Sequence, residues 1–233
     1  MLKETNFAWW IERFKHNMQL FGLIRVDHFR GLVAYWEIPA QEKTAINGQW
    51  IQVPSEDFFN HILQALPALS IIAEDLGIIT PDVTVLMKKF GFPGMKILHF
   101  AFGEDIETHP YIPENYSEDC VVYTGTHDNN TTQGWLANDA TEKEKENLEL
   151  YFKHKVKLKD IHWDLMECAM LSKANLAIIP VQDILGLSKD ERMNTPATTQ
   201  NNWQWRLKNP YFKSPAFDRF QELTKKSKRV PKK

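Results

Sequence analysis

Short apolar runs alternate with longer amphipathic stretches along this chain. Leu23, Ile24 and Val26 predict a short buried strand over about Leu23–Asp27. Further runs predict strands at about Leu69–Glu74, Met95–Phe102, Cys120–Thr126 and Leu176–Gln182. Helical spacing fills the intervals. Asn6–Phe21 reads as a helix with Asn6 as N-cap and Gly22 just past its end. Ser55 caps a helix to about Leu66, stopped by Pro67, and Thr80-Pro81 opens one that Gly91 closes. Charged helices follow at Thr141–Lys157 and Asp160–Lys173, and a last one at Ser214–Lys226. Two stretches have no clean period. Leu32–Pro54 reads as an excursion over the strand ends, too aromatic for disorder. Arg192–Arg206 is polar and rich in Asn and Trp.

Strands that alternate with helices imply a parallel sheet, either a barrel or doubly wound. There are no internal repeats and no low-complexity linker, so a single domain is expected. No Gly-rich phosphate loop follows a strand, and Gly91-Phe-Pro-Gly94 has the wrong spacing and precedes one. A nucleotide-binding reading is weakened accordingly.

Composition narrows the partners. The chain has 233 residues, enough for one domain with a substantial core. With 43% hydrophobic and 25% charged residues it has the balance of a globular protein. A net charge of −2 gives no global attraction to nucleic acid or to an anionic membrane. The basic cluster Lys225–Lys233 reads as a solvated terminus. No apolar run approaches the roughly 20 residues that span a bilayer, and the charged N-terminus lacks the apolar core of a secretory signal. Cys120 and Cys168 lack metal-site spacing and form no disulfide framework, so a reducing cytoplasm is expected. Eight tryptophans exceed the usual needs of a core. Some are expected on a binding surface, and carbohydrate is a natural ligand because sugar rings have apolar faces.

Three strand ends carry acids: Asp27, Glu74 and Asp128. A parallel strand delivers catalytic groups at its C-terminal end. Glycoside chemistry needs two carboxylates, one ionised and one protonated. Arg25, His28 and Arg30 surround Asp27 in sequence and suit an ionised nucleophile. Ile71, Ile72 and Ala73 precede Glu74, and a partly apolar setting suits a proton donor. Asp128, beside His127, suits binding of sugar hydroxyls. Singly, each acid is more often structural. Their recurrence at successive strand ends, two of them next to histidine, favours function. A zinc or manganese hydrolase is the rival reading, since Asp27-His28, Glu74-Asp75 and His127-Asp128 offer suitable ligands. No His-Glu-x-x-His or cysteine cluster supports it.

Arg25-Val-Asp-His-Phe-Arg-Gly31, Ala73-Glu-Asp-Leu-Gly77, Phe92-Pro-Gly-Met-Lys96 and Tyr123-Thr-Gly-Thr-His-Asp-Asn129 resemble the 4-alpha-glucanotransferases, or amylomaltases, of the alpha-amylase clan. The resemblance continues through Gln182-Asp183, Arg192-Met-Asn194, Asn202-Trp203 and Trp205-Arg206. It implies retaining transfer of alpha-1,4-glucan segments between maltooligosaccharides within a (β/α)8 TIM barrel. By resemblance Asp27 is the nucleophile, Glu74 the acid/base and Asp128 the transition-state stabiliser. Arg25, His28 and His127 then contact the sugar beside the scissile bond. Trp36, Trp50 and Asn194 are added as candidate substrate-binding residues, with packing as the alternative for the two tryptophans. The family needs no organic cofactor and no catalytic metal.

Two features depart from the family's pattern. Ala197 and Gln200 stand where glycines are common, which puts the fit of the Pro196–Trp203 rim in question. Family members are also about twice this length. The five predicted strands correspond to the fourth to eighth of the barrel. The expectation is therefore the C-terminal part of the catalytic barrel, whose partner is the missing N-terminal part of the same enzyme. Alone, the chain is expected to be poorly soluble, or molten and ANS-binding, and without glucanotransferase activity; an inactive glucan-binding fragment is the alternative.

Overall fold

The computed structural model describes residues 2–103, 105–207 and 214–230. The chain divides into two compact units, Met1–Met95 and Lys96–Lys233.

The first unit opens with helix α1 (Ala8–Leu20). Asn6 does not cap it: Asn6 and Phe7 both take left-handed φ, 48° and 58°, and Phe7 occupies the cap position. Buried Phe7 instead packs edge-on against Phe58 at 5.3 Å, so a hydrophobic anchor replaces the expected polar cap. Strand β1 (Ile24–Val26) is half-buried rather than buried. Leu32–Pro54 holds an antiparallel hairpin, β2 (Ala34–Glu37) with β3 (Gln49–Gln52), pairing Trp36 with Trp50. Most of its residues are exposed on both faces, so the sequence carried no alternation to reveal it. Helix α2 (Ser55–Ala65) follows, with Pro54 rather than Ser55 at the cap. Strand β4 (Ile71–Ala73) runs parallel to β1, with Ile24, Arg25 and Val26 opposite Ile71, Ile72 and Ala73. Helix α3 (Pro81–Phe90) has proline in its first turn and ends at Gly91, φ 68°. Phe29, Phe59, Ile62 and Val83 form the fully buried centre of this unit, and the Phe29 and Phe59 rings stack at 5.5 Å.

Strand β5 (Gly94–Ile97) is shorter than Met95–Phe102, because a 3-10 turn takes over at Leu98. In the second unit, β6 (Cys120–Tyr123) pairs in parallel with β7 (Leu176–Ile178), Val121 opposite Leu176. Both stop short of the predicted ends. Polar residues begin at Thr124 in one case, and Pro180 begins a short helix in the other. Between them lie α4 (Thr132–Gly134), a π-turn at Trp135–Asp139, α5 (Glu142–Phe152) and α6 (Ile161–Leu171). A reciprocal capping box of Thr141 and Glu144 starts α5. Then come α7 (Val181–Ile184) and α8 (Pro215–Lys226), the latter capped by Ser214. Leu98, Phe102, Val122, Leu148 and Leu165 are fully buried in this unit. The last three residues of the basic tail lie outside the described residues. Among the described residues no helix is long and apolar enough to cross a membrane.

Candidate active site

Asp27 and Glu74 are the residues next after Val26 and Ala73, which are register partners in neighbouring parallel strands. Adjacent strands lie about 4.8 Å apart, so the two acids leave the sheet side by side. The backbone ties the ends together: Glu74 N–H donates to Val26 O at 3.0 Å and Phe29 N–H to Glu74 O at 3.1 Å. Phe29 is fully buried and pulls the chain into a tight 3-10 turn, with His28 in the left-handed region at φ 47°.

Arg25 Nη2 pairs with Asp27 Oδ1 at 2.8 Å, and the Asp27 side chain is 78% exposed. The cation expected beside Asp27 is therefore Arg25. Arg30 is engaged otherwise: it donates to Thr80 Oγ1 and lies over the Trp50 ring at 4.3 Å. The Glu74 carboxylate is not in the apolar setting its sequence neighbours suggest. Its Oε2 accepts from His28 N–H at 2.7 Å and its Oε1 from Leu76 N–H at 2.9 Å. Ile71, Ile72 and Ala73 are buried, but the strand ends before the glutamate side chain shares that environment. In the hairpin, the Trp36 and Trp50 rings meet edge-on at 5.4 Å and stay partly exposed, while Trp36 Nε1 donates to Ala45 O at 2.8 Å.

The second unit holds His127, Asp128 and Asn194. The turn after β6 is fixed internally by Asn129 Oδ1, which accepts from both the N–H and the hydroxyl of Thr126 at 2.8 Å. His127 Nε2 lies 3.2 Å from Asp128 Oδ2. Asn194 Nδ2 donates to Asp128 Oδ1 at 2.7 Å, and Arg192 Nη2 to Asp128 O at 3.0 Å. The Trp203 ring lies 5.1 Å from that of His127. Thr126, His127, Asn129, Arg192, Met193 and Trp203 help line a cavity of about 220 Å³. Sequence reasoning found His127, which lines this cavity, and its neighbour Asp128, but not the anchoring roles of Arg192 and Asn194. The family motif Arg192-Met-Asn194 and the polar, Asn- and Trp-rich composition of that stretch both pointed to them. Among the described residues no group of three or more His, Cys, Asp or Glu is placed to hold a metal ion, so geometry lends the metal-hydrolase alternative no support.

The glycoside hydrolase 77 family model, described as 4-alpha-glucanotransferase, matches residues 1–212. This chain belongs to the 4-alpha-glucanotransferase family. A 4-alpha-glucanotransferase of Synechocystis sp. is 51% identical over 207 residues, covering 88% of this chain and 40% of that protein. One from Clostridium butyricum is 42% identical over 224 residues, covering 96% of this chain and 46% of its own length. Among solved structures, an amylomaltase from Streptococcus agalactiae in complex with acarbose superposes with a TM-score of 0.91 at 34% identity. That match covers 99% of this chain and 46% of the amylomaltase. This family member has the α/β fold of part of a (β/α)8 barrel, and it spans less than half the length of these relatives.

Proposed function

We propose that the chain, as one catalytic domain, carries the acids of a 4-alpha-glucanotransferase acting on alpha-1,4-glucans and maltooligosaccharides. Asp27 attacks the anomeric carbon of the donor while Glu74 gives its proton to the glycosidic oxygen, which leaves with the displaced segment. The bond from C1 to the Asp27 oxygen is then broken by the 4-hydroxyl of an acceptor sugar, whose proton Glu74 takes. Two inversions give net retention. The observation that carries the reading is the register of β1 and β4, which sets Asp27 and Glu74 on neighbouring strand ends. A retaining pair requires carboxyl groups about 5–5.5 Å apart, and backbones about 4.8 Å apart in adjacent strands are compatible with that spacing.

Asp128 stabilises the transition state. Arg25, His28, His127 and Asn194 contact the sugar beside the scissile bond, and Trp36 and Trp50 border the glucan groove. The chemistry uses carboxylates alone and needs no cofactor or metal. Cys120 and Cys168 form no disulfide among the described residues, which suits a reducing, cytoplasmic setting. The partner is the N-terminal part of the same enzyme, so activity belongs to the assembled protein.

The test is a maltotriose disproportionation assay. It uses this chain alone and this chain fused behind the preceding part of the Synechocystis relative. The fusion is expected to form glucose and longer glucans. Asp27→Asn and Glu74→Gln should each cost several orders of magnitude, since the two groups act as a unit. A fusion in which either variant keeps near-normal turnover would sink the assignment. EDTA-sensitive hydrolysis restored by zinc would favour the metal enzyme.

A further inference from the structure

The turn that carries His127 and Asp128 runs from Gly125 to Thr131, and the residues at its two ends, Thr124 and Thr132, are both fully buried. One carboxylate grips both. Thr124 Oγ1 donates to Asp183 Oδ2, Thr132 Oγ1 donates to the same oxygen at 2.8 Å, and Thr132 N–H donates to Asp183 Oδ1 at 2.8 Å. Asp183 is 2% exposed and comes from α7, beyond the neighbouring strand β7. Behind Thr132 stands His99, also 2% exposed, with Nε2 at 3.0 Å from Thr132 Oγ1. The threonine hydroxyl has a single proton and gives it to Asp183, so His99 is the donor, as its Nε2–H tautomer. The imidazole stacks on Trp135 at 4.8 Å with 9° between planes. Gly125 packs so close that a Cβ there would come within 2.6 Å of His99 Cε1. His99 N–H in turn donates to Thr124 O at 3.2 Å.

We propose that Asp183 is the positioning residue for the His127–Asp128 turn, pinning both ends through Thr124 and Thr132, with His99 fixing the orientation of the Thr132 hydroxyl. Only a pure acceptor satisfies three converging donors. Burial pushes the Asp183 carboxyl above the ordinary carboxylate range, and the donors from Thr124 and Thr132 offset only part of that rise. Asparagine at this place would turn an amide donor toward donors.

The proposal rests on Asp128 and His127 being site residues. Its test reads the order of the turn rather than turnover, so the two ideas fail separately. Amide hydrogen exchange is measured across the whole chain for Asp183→Asn, Thr132→Val and Thr132→Ser. Valine keeps the shape and loses the hydroxyl; serine keeps the hydroxyl. Asp183→Asn and Thr132→Val are expected to speed exchange at residues 126–131 at least tenfold, with α5 unchanged, while Thr132→Ser exchanges like the parent. Unchanged turn amides in both variants would overturn the proposal. So would an equal acceleration of the turn and α5, or a serine variant as loose as valine. If Asp183→Asn fails to fold, the valine and serine pair decides alone.

Discussion

The backbone N–H of His28 donates to Glu74 Oε2 at 2.7 Å, and His28 reaches that oxygen only because its own φ is 47°. A left-handed conformation costs a non-glycine residue about 1–2 kcal/mol. The cost is offset by buried Phe29, which follows directly, and by the clamp on Glu74.

His28→Gly is therefore expected to keep the clamp and to hold or raise stability by up to about 1 kcal/mol. His28→Val should lower it by more than 1 kcal/mol, roughly, because a β-branched side chain is a strong outlier at this φ. Urea unfolding of both variants checks the order. Valine at least as stable as glycine would mean the turn relaxes to another conformation.

Ala197, one of the two departures from the family's glycines, has φ 62°. Ala197→Gly should stabilise the 195–203 loop by roughly 1 kcal/mol, less the entropy glycine adds to the unfolded chain. Slower amide exchange across that loop is the expected readout, and faster exchange would contradict it. Gln200 is not among the positive-φ residues; Asn201 and Trp203 are, at 60° and 62°. The strain of this rim therefore falls on neighbours of the second missing glycine.

Much of this was legible beforehand, and the reasons differ by element. Thr80-Pro81 and Gly91 marked α3 because proline and glycine act on the backbone itself, whatever surrounds them. The acids at the ends of β1, β4 and β6 stood out because apolar runs stop abruptly there. The hairpin was hidden because its faces are exposed and impose no period. The roles of Asp183, which entered only within the Gln182-Asp183 motif, and of His99 were hidden for the opposite reason. Both side chains are buried by partners far away in sequence, and no local pattern records a buried polar residue.

Buried histidines give the chain a pH dependence. Burial pushes His99 down to about 3. Burial and then the Arg219 charge push His162 down to about 4. Both lie below the unfolded value of about 6.5. The unfolded chain therefore gains protons that the folded chain refuses as pH falls below about 6.5, and stability present above that pH is lost on the way down. Two such groups give a slope of at most roughly 3 kcal/mol per pH unit near pH 5. Urea unfolding at pH 7, 6 and 5 should show it, and His162→Gln should remove about half of this slope. A flat profile from pH 7 to 5 would mean that both rings take up protons in the folded chain.

Apolar surface predicts how the chain behaves on its own. In the first unit Trp9, Leu20 and Phe21 on and after α1 are 57%, 61% and 59% exposed, and Leu23 beside β1 is 41% exposed. In the second, Leu176 and Ile178 of β7 are 37% and 39% exposed. Barrel strands are normally covered on both faces, and apolar surface left in water forgoes about 25 cal/mol per Å². Among the described residues β1 pairs only with β4 and β7 only with β6, so each has an edge that can template association. The isolated chain is expected to bind the dye ANS and to associate as its concentration rises. Phe21→Ser with Ile178→Thr should reduce both effects without removing Asp27, Glu74 or Asp128. The fusion with the relative's preceding part should suppress them further by covering the same surfaces. A monomeric isolated chain that melts cooperatively and leaves ANS dark would show that these faces need no cover, and the expectation that it is inactive alone would lose its physical basis.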